Sequence, residues 1–489
     1  MEKLKNYIGG ELVEPISRTY LDNYDPARGE IYSQTPDSDE EDVDRAVECA
    51  SAALASWART SAQERSGVLR KIARIIDSRA EELARAESVD TGKPVTLAAQ
   101  MDIPRSAANL DFFADAITQF SSESHSMGKT AINYTLRDPV GVVGCVSPWN
   151  LPLYLLTWKV APALAAGNCV VAKPSEVTPM TAALFSKICI EAGLPPGVLN
   201  IVHGLGRKAG SAISANPTVR AVSFTGSTRT GAEIAKTAAE SFKKVSLEMG
   251  GKNPALVFSD CDLEQAVQSI LRSSFLNQGQ VCLCTSRIFV QRPIYNNFKS
   301  ALMEKLKGLK IGDPLDPATQ QGAVVSREHF DKVRSCIALA ENEGGKILTG
   351  GKPVRLEGRC EKGWFIEPTL VEGLSPQCQT NREEIFGPVA TLIPFEDEAE
   401  VLGWANDTRY GLAATLWTRD LSRAHRLAGD LHAGVVWVNC WLLRDLRTPF
   451  GGMKDSGLGR EGGIEALKFF TEPKNVCIQL ADEPKGSKQ

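Results

Sequence analysis

In the stretch LNQGQVCLCTSR, residues 276 to 287, Cys282 follows Gly279 and Gln280 in a polar, glycine-containing segment. That setting differs from the apolar packing that keeps most cysteines inert. Two other segments carry groups that a cysteine nucleophile would need. LEMGGKNP places Glu248 beside a glycine pair, and SPWN places Asn150 at the end of an apolar run. Together the three offer a thiolate, a general base and an amide donor for an oxyanion. Cys284, two positions further on, reads as packing, because a disulfide to Cys282 would close an awkward tight ring.

A second set of residues suits a dinucleotide. AVSFTGSTRTGAEIAKTAAE places Gly226 and Gly231 between a strand and a helix, where backbone amides and a helix N-terminus can hold a phosphate. Taken alone the pair is also ordinary turn chemistry, and the GxGxxG fingerprint is missing. In AKPSE, Lys173 and Glu176 leave the end of an apolar strand, within reach of a ribose. A carboxylate beside the adenosine ribose repels a 2'-phosphate, which favours NAD over NADP.

The elements that must position these groups follow from periodicity. DSDEEDVDRAVECASAALASWART reads as a helix, with Val43, Ala46, Val47, Ala50, Leu54 and Trp57 on one face and the acidic run at its N-terminus. Further helical patterns cover about 62 to 90 and 96 to 121, after a turn-rich opening. From about 139, short apolar runs (VGVVGCVSP, NCVVAKPS, VLNIVHG, TVRAVSFTGS) alternate with helical stretches, and a second such series runs from NPALVFSD to about 440. Alternation of this kind predicts parallel βαβ units, a doubly wound α/β fold and ligands at the carboxyl ends of strands. Only ADEPKGSKQ at the end reads as disordered.

Composition removes several classes of function. The chain has 489 residues, so two or three domains are expected, and its 55 basic against 59 acidic residues give a net charge of -4 with no long basic block. Nucleic acid is not expected as a partner. Five histidines lack any metal-ligand spacing, so no metal is expected. Twelve scattered cysteines without a CxxC pair, an opening unlike a signal peptide and no bilayer-length apolar segment point to reduced thiols in a cytoplasmic protein away from membranes.

Seven motifs now carry a resemblance. PWN at 148–150, KPSE at 173–176, FTGS at 224–227, LEMGGKNP at 247–254, GQVC at 279–282, EEIFGPV at 383–389 and PFGGMKDSGLGRE at 449–461 stand in the order and approximate spacing of the NAD(P)-dependent aldehyde dehydrogenase superfamily. Each is modestly specific; seven in order over nearly the whole chain are very specific. The resemblance implies that Cys282 is the nucleophile, that Asn150 and the Cys282 backbone N–H hold the oxyanion, and that Glu248 activates water against the thioester. It implies that Lys173 and Glu176 contact the adenosine ribose and Ser227, with Gly226, the pyrophosphate. Glu384 and Phe386 would clamp the nicotinamide side, with Trp149 also among the cofactor residues. Retention of Glu248 favours water over coenzyme A as acyl acceptor.

DIPRSAANLDFFAD and NCWLLRDLRTPFGG resemble the muconic semialdehyde dehydrogenases in particular. That implies an anionic aldehyde whose carboxylate is held by Arg105 and Arg444, with Arg447 a weaker candidate. The CLCTSR context is more similar to the 2-aminomuconate branch than to the 2-hydroxymuconate branch, where glycine and glutamate would be expected at Cys284 and Ser286. A dehydrogenase for neutral or cationic aldehydes such as betaine aldehyde is the remaining reading. The family implies a Rossmann-like cofactor domain from 1–121 and 141–250, an α/β catalytic domain from 251–449, and a small β oligomerisation element from 122–140 with 450–489, in a homodimer or homotetramer.

Overall fold

The computed structural model describes residues 1–480; the disorder expected of ADEPKGSKQ lies outside them. Five parallel strands form the centre of the first sheet, in the spatial order Lys244–Glu248, Val219–Thr225, Val142–Val146, Cys169–Lys173, Leu199–Ile201. VVGCV and CVVAK are buried along their whole length, as continuous apolar runs covered on both faces should be. The chain starts in the middle with Val142–Val146, winds outward on one side and then returns to the other. The strand order therefore reverses between Val142–Val146 and Val219–Thr225, which opens a crevice at their carboxyl ends.

Antiparallel strands close both edges: Asn6–Ile8 with Glu11–Val13 at one end, and Gly457–Leu458 beside Lys244–Glu248 at the other. The last of these draws part of the 450–489 segment into the first sheet. Helices cover the faces. Glu40–Trp57 starts at the Asp39 cap with three acidic residues in its first turn and buries Val43, Ala46, Val47, Ala50 and Trp57. Ala62–Ser78 opens on a Ser61/Glu64 capping box. The helix expected over 96–121 is broken into a π-turn, Ala98–Asp102, followed by Ile103–Thr118.

Residues 249–252 are the whole crossing between Lys244–Glu248 and Asn253–Val257, the first strand of the second sheet. Six parallel strands there take the order Thr369–Glu372, Val389–Phe395, Thr285–Gln291, Asn253–Val257, Ala413–Trp417, Val435–Val438, with Lys346–Thr349 antiparallel at the edge. A third sheet pairs Thr471–Gln479 with Ala131–Pro139 over nine residues, and Ser124–Ser126 with the latter. Ile132, Leu136 and Ile478 remain exposed on it.

The opening is less turn-rich than its sequence suggests. Tyr20–Asp25 and Glu30–Pro36 form a hairpin that Glu2–Lys3 joins. These strands are short and mostly polar, so no apolar alternation announces them.

Candidate active site

Cys282 is held between the two sheets by a strained turn. Helix Leu263–Phe275 ends in three consecutive left-handed residues, Asn277, Gln278 and Gly279, with φ of 52°, 57° and 70°. For a non-glycine residue that conformation costs of the order of 1 kcal/mol or more. At Gly279 no side chain fits, since a Cβ would stand 2.1 Å from the Gly387 carbonyl oxygen. Hydrogen bonds stabilise the turn: Asn277 Nδ2 donates to the carbonyls of Asn150 (3.1 Å) and Gln280 (3.2 Å). Asn253 Nδ2 donates to the main-chain oxygens of Cys282 (2.8 Å) and Cys284 (2.9 Å), and Trp441 Nε1 to that of Leu283 (3.1 Å). The Cys282 loop is thus pinned at the amino ends of the second sheet, facing the crevice of the first.

Asn150 is buried beside that loop, and its side-chain amide donates to Gln280 O at 3.0 Å. Glu248, at the carboxyl end of its strand, is buried with both carboxylate oxygens lacking a hydrogen-bond partner. Burial, and then the neighbouring Glu461, push its pKa well above the usual carboxylate range, with Lys159 and two arginines opposing. Glu461 is itself engaged: Lys159 Nζ donates to it at 2.6 Å, and Ser223 Oγ at 3.1 Å. The Cys282 thiol is pushed up to about 12, first by burial and then by the charges of Glu384 and Glu248. Burial thus favours the protonated form of both groups.

Two cavities meet at Cys282. One, of about 210 Å³, is lined by Trp149, Asn150, Gly226, Ser227, Glu384 and Phe386. The other, of about 370 Å³, is lined by Arg105, Tyr154, Trp158, Glu248, Arg272 and Arg444 among others. Cys282, Thr225 and Met249 border both.

On the first side, Ser227 caps helix Thr228–Ala239, accepting from Thr230 N at 3.2 Å. Glu384 accepts from Gly251 N at 3.0 Å, and a Cβ on Gly250 would lie 2.1 Å from its carboxylate. Phe386 has φ of 60° and packs edge-on against Trp149, 5.2 Å between centroids. His329, to which no motif points, completes the wall with its ring 5.1 Å from Trp149. Its Nε2 stands 2.7 Å from the Phe386 carbonyl oxygen and, because a carbonyl only accepts, is the donor there. Lys173 and Glu176 do not line this cavity. They pair with each other at 2.7 Å, and Glu176 borders a separate hollow with Val177 and Leu205.

On the second side, the Nε and Nη2 of Arg105 are buried without hydrogen-bond partners, its guanidinium 5.6 Å from the Tyr154 ring centroid. Arg444 donates to Tyr154 Oη at 3.2 Å and lies 4.0 Å from the Phe450 ring centroid. Arg105 and Arg444 both line this cavity, and two guanidinium groups are what a carboxylate would satisfy. Arg447 stands apart from this cavity. Its side chain is 80% exposed, forks onto Asp445 at 2.6 Å and is not among the residues lining the cavity. Sequence reasoning missed Arg272, exposed at the cavity wall and 5.6 Å from the Trp441 ring centroid. It also missed the roles of Lys159 and of Glu461, although Glu461 closes the PFGGMKDSGLGRE motif.

Residues 12–476 match the model of the aldehyde dehydrogenase family. The chain is 49% identical over 479 residues to 2-aminomuconic semialdehyde dehydrogenase of Mus musculus, covering 97% of this chain and 98% of that protein. It is 46% identical to 2-hydroxymuconic semialdehyde dehydrogenase of Pseudomonas sp. (strain CF600), covering 98% and 100%. Among solved structures, an NAD+ complex of an aldehyde dehydrogenase from Bacillus cereus superposes with a TM-score of 0.95 at 38% identity, covering 98% of this chain and 97% of that one.

Proposed function

This chain belongs to the aldehyde dehydrogenase family, and from that premise we propose that it oxidises 2-aminomuconate 6-semialdehyde to the dicarboxylate with NAD as hydride acceptor. The observation that carries this reading is the thiol at the junction of two cavities, one lined by Ser227, Glu384 and Phe386 and the other bearing Arg105 and Arg444. A carboxylate held by the two arginines leaves the far end of a short conjugated semialdehyde directed toward Cys282. 2-Hydroxymuconate 6-semialdehyde presents the same carboxylate and is the second substrate to test.

In this mechanism the Cys282 thiol gives its proton to solvent water, and the thiolate attacks the aldehyde carbon, giving a thiohemiacetal. The charge that develops on oxygen falls between the Asn150 amide and the Cys282 backbone N–H. Ser227, Glu384 and Phe386 would hold NAD, which would supply the hydride acceptor; loss of hydride from the former aldehyde carbon would leave a thioester on Cys282. Glu248 then takes a proton from water, and the resulting attack releases the carboxylate and restores the thiol.

The residues of the first cavity fit NAD. Ser227 and the N-terminus of a 12-residue helix suit a pyrophosphate, and Gly250 leaves the space that Glu384 needs. Glu176 is the proposed filter against a 2'-phosphate. Glu176→Gln is expected to cut the NAD over NADP ratio of kcat/KM by about 10-fold, since one close like-charge repulsion is removed; steady-state kinetics with both cofactors read it out.

Arg444→Ala or Arg105→Ala is expected to raise KM for the semialdehyde about 10- to 100-fold, the worth of a charged hydrogen bond, and to leave a neutral aliphatic aldehyde nearly unaffected. NADH absorbance with both substrates checks it; equal losses on both would remove the carboxylate clamp. A pH profile of thioester hydrolysis gives a third check. The raised pKa of Glu248 means its basic form appears only well above the usual carboxylate range, so hydrolysis should rise with pH through that shifted value.

The same reading makes the exposed side of the Ala131–Pro139 and Thr471–Gln479 sheet the face of a homodimer or homotetramer. It also assigns the enzyme to the cytoplasm, where its free cysteines stay reduced. No helix among the described residues is long and apolar enough to cross a membrane.

A further inference from the structure

Behind Asn150 lies a charge cluster with no place in the reaction above. Lys93 is fully buried. Its ammonium pairs with Asp102, also fully buried, and lies 3.8 Å from Glu87 Oε1. Its remaining direction is taken by the main-chain oxygen of Asn150, to which it donates at 3.0 Å. That oxygen also receives Asn277 Nδ2, from the turn before the nucleophile, at 3.1 Å.

A buried ion cluster is a weak source of stability, because desolvation offsets much of the attraction. It does fix direction. A cation held by two carboxylates presents its donor to one point, which in this cluster is the peptide that carries the Asn150 side chain. The anchors of the cluster are also informative. Lys93 follows Gly92, whose carbonyl accepts from Ala323 N at 2.9 Å, and Val95 N donates to Pro314 O at 2.8 Å, so the segment is bonded to the second domain. Asp102 ends the π-turn Ala98–Asp102, of which Gln100 and Met101 line the substrate cavity. One ammonium thus joins the cavity wall, the domain boundary and the peptide of Asn150.

We propose that Lys93, fixed by Asp102 and Glu87, is a positioning residue for the oxyanion donor: it holds the Asn150 peptide so that the side-chain amide meets the aldehyde oxygen. The proposal rests on the oxyanion role of Asn150 in the proposed function. The test is a double-mutant cycle on the full-length enzyme with NAD and the semialdehyde. Lys93→Met, and Lys93→Met combined with Asp102→Asn and Glu87→Gln so that neither carboxylate is stranded, are each made with Asn150 intact and with Asn150→Ala. With Asn150 intact, kcat should fall about 10-fold while KM for NAD stays within about 2-fold. In the Asn150→Ala background the further loss should be no more than about 2-fold, because the group being positioned is gone. Equal losses in both backgrounds, no loss in either, or failure of both variants to fold would overturn the proposal. If Asn150→Ala alone left kcat unchanged, the oxyanion reading would fall first, and Lys93 with it.

Discussion

Cys282→Ala is expected to lower aldehyde oxidation by about 10⁴-fold or more, the scale on which removal of a covalent nucleophile acts, with NAD binding left in place. The structure offers no substitute thiol. Cys284 is buried, its Sγ is 3.9 Å from the Leu276 carbonyl, and burial pushes its pKa far up. Of the two, only Cys282 borders both the cofactor-side and the substrate-side cavity. Replacement by alanine removes the sulfur and leaves the Asn253 and Trp441 bonds to the loop backbone untouched, so the loss should be chemical. NADH formation at saturating semialdehyde measures it, with fluorescence titration of NADH as the binding control. Residual activity above about 1% of wild type would mean that the reaction does not need this sulfur.

Glu248→Gln should separate the two halves of the reaction. Steady-state turnover is expected to fall by about 10² to 10⁴, the usual range for a lost general base, while the first turnover still yields close to one NADH per subunit. The acyl group would then remain on Cys282, where mass spectrometry of the quenched protein detects it. The expectation follows from where Glu248 sits: it is unpartnered, and burial first, then Glu461, keep it reluctant to ionise. A glutamine fills the same space without that charge. Loss of the burst as well as of turnover would assign Glu248 to the thiol proton as well, and would overturn this division of labour between the two residues.

Much of this site was legible in the sequence because it is built from short local motifs. Cys282, Glu248 and Asn150 each stand at a strand end or beside a glycine turn, and such positions announce themselves by composition. The alternating apolar runs likewise map onto the two parallel sheets. What the sequence concealed depends on distance along the chain. Lys159 and Glu461 meet across 302 residues, and Lys93 reaches Asn150 across 57; neither pairing leaves a periodic signal. Arg447 shares a loop with Arg444, but its fork pairs with the intervening Asp445 and its side chain is exposed, which spacing alone does not reveal. Lys173 and Glu176 were grouped correctly with each other, yet they stand apart from the cavity that holds Ser227 and Glu384. The opening strands escaped because their burial is imposed by neighbours and not by their own pattern.

The edge strand Gly457–Leu458 has a consequence for how the protein is made. Just before it, Ser456 O accepts from Met249 N at 2.9 Å and Ser456 Oγ donates to Gly250 O at 2.6 Å, while Glu461 follows to meet Lys159. The residues that flank Glu248 are therefore secured by a segment that leaves the ribosome some two hundred residues after them. The parallel strands of both sheets all precede these residues in the chain. A chain ending before Ser456 would lack these two hydrogen bonds and the Lys159–Glu461 pair.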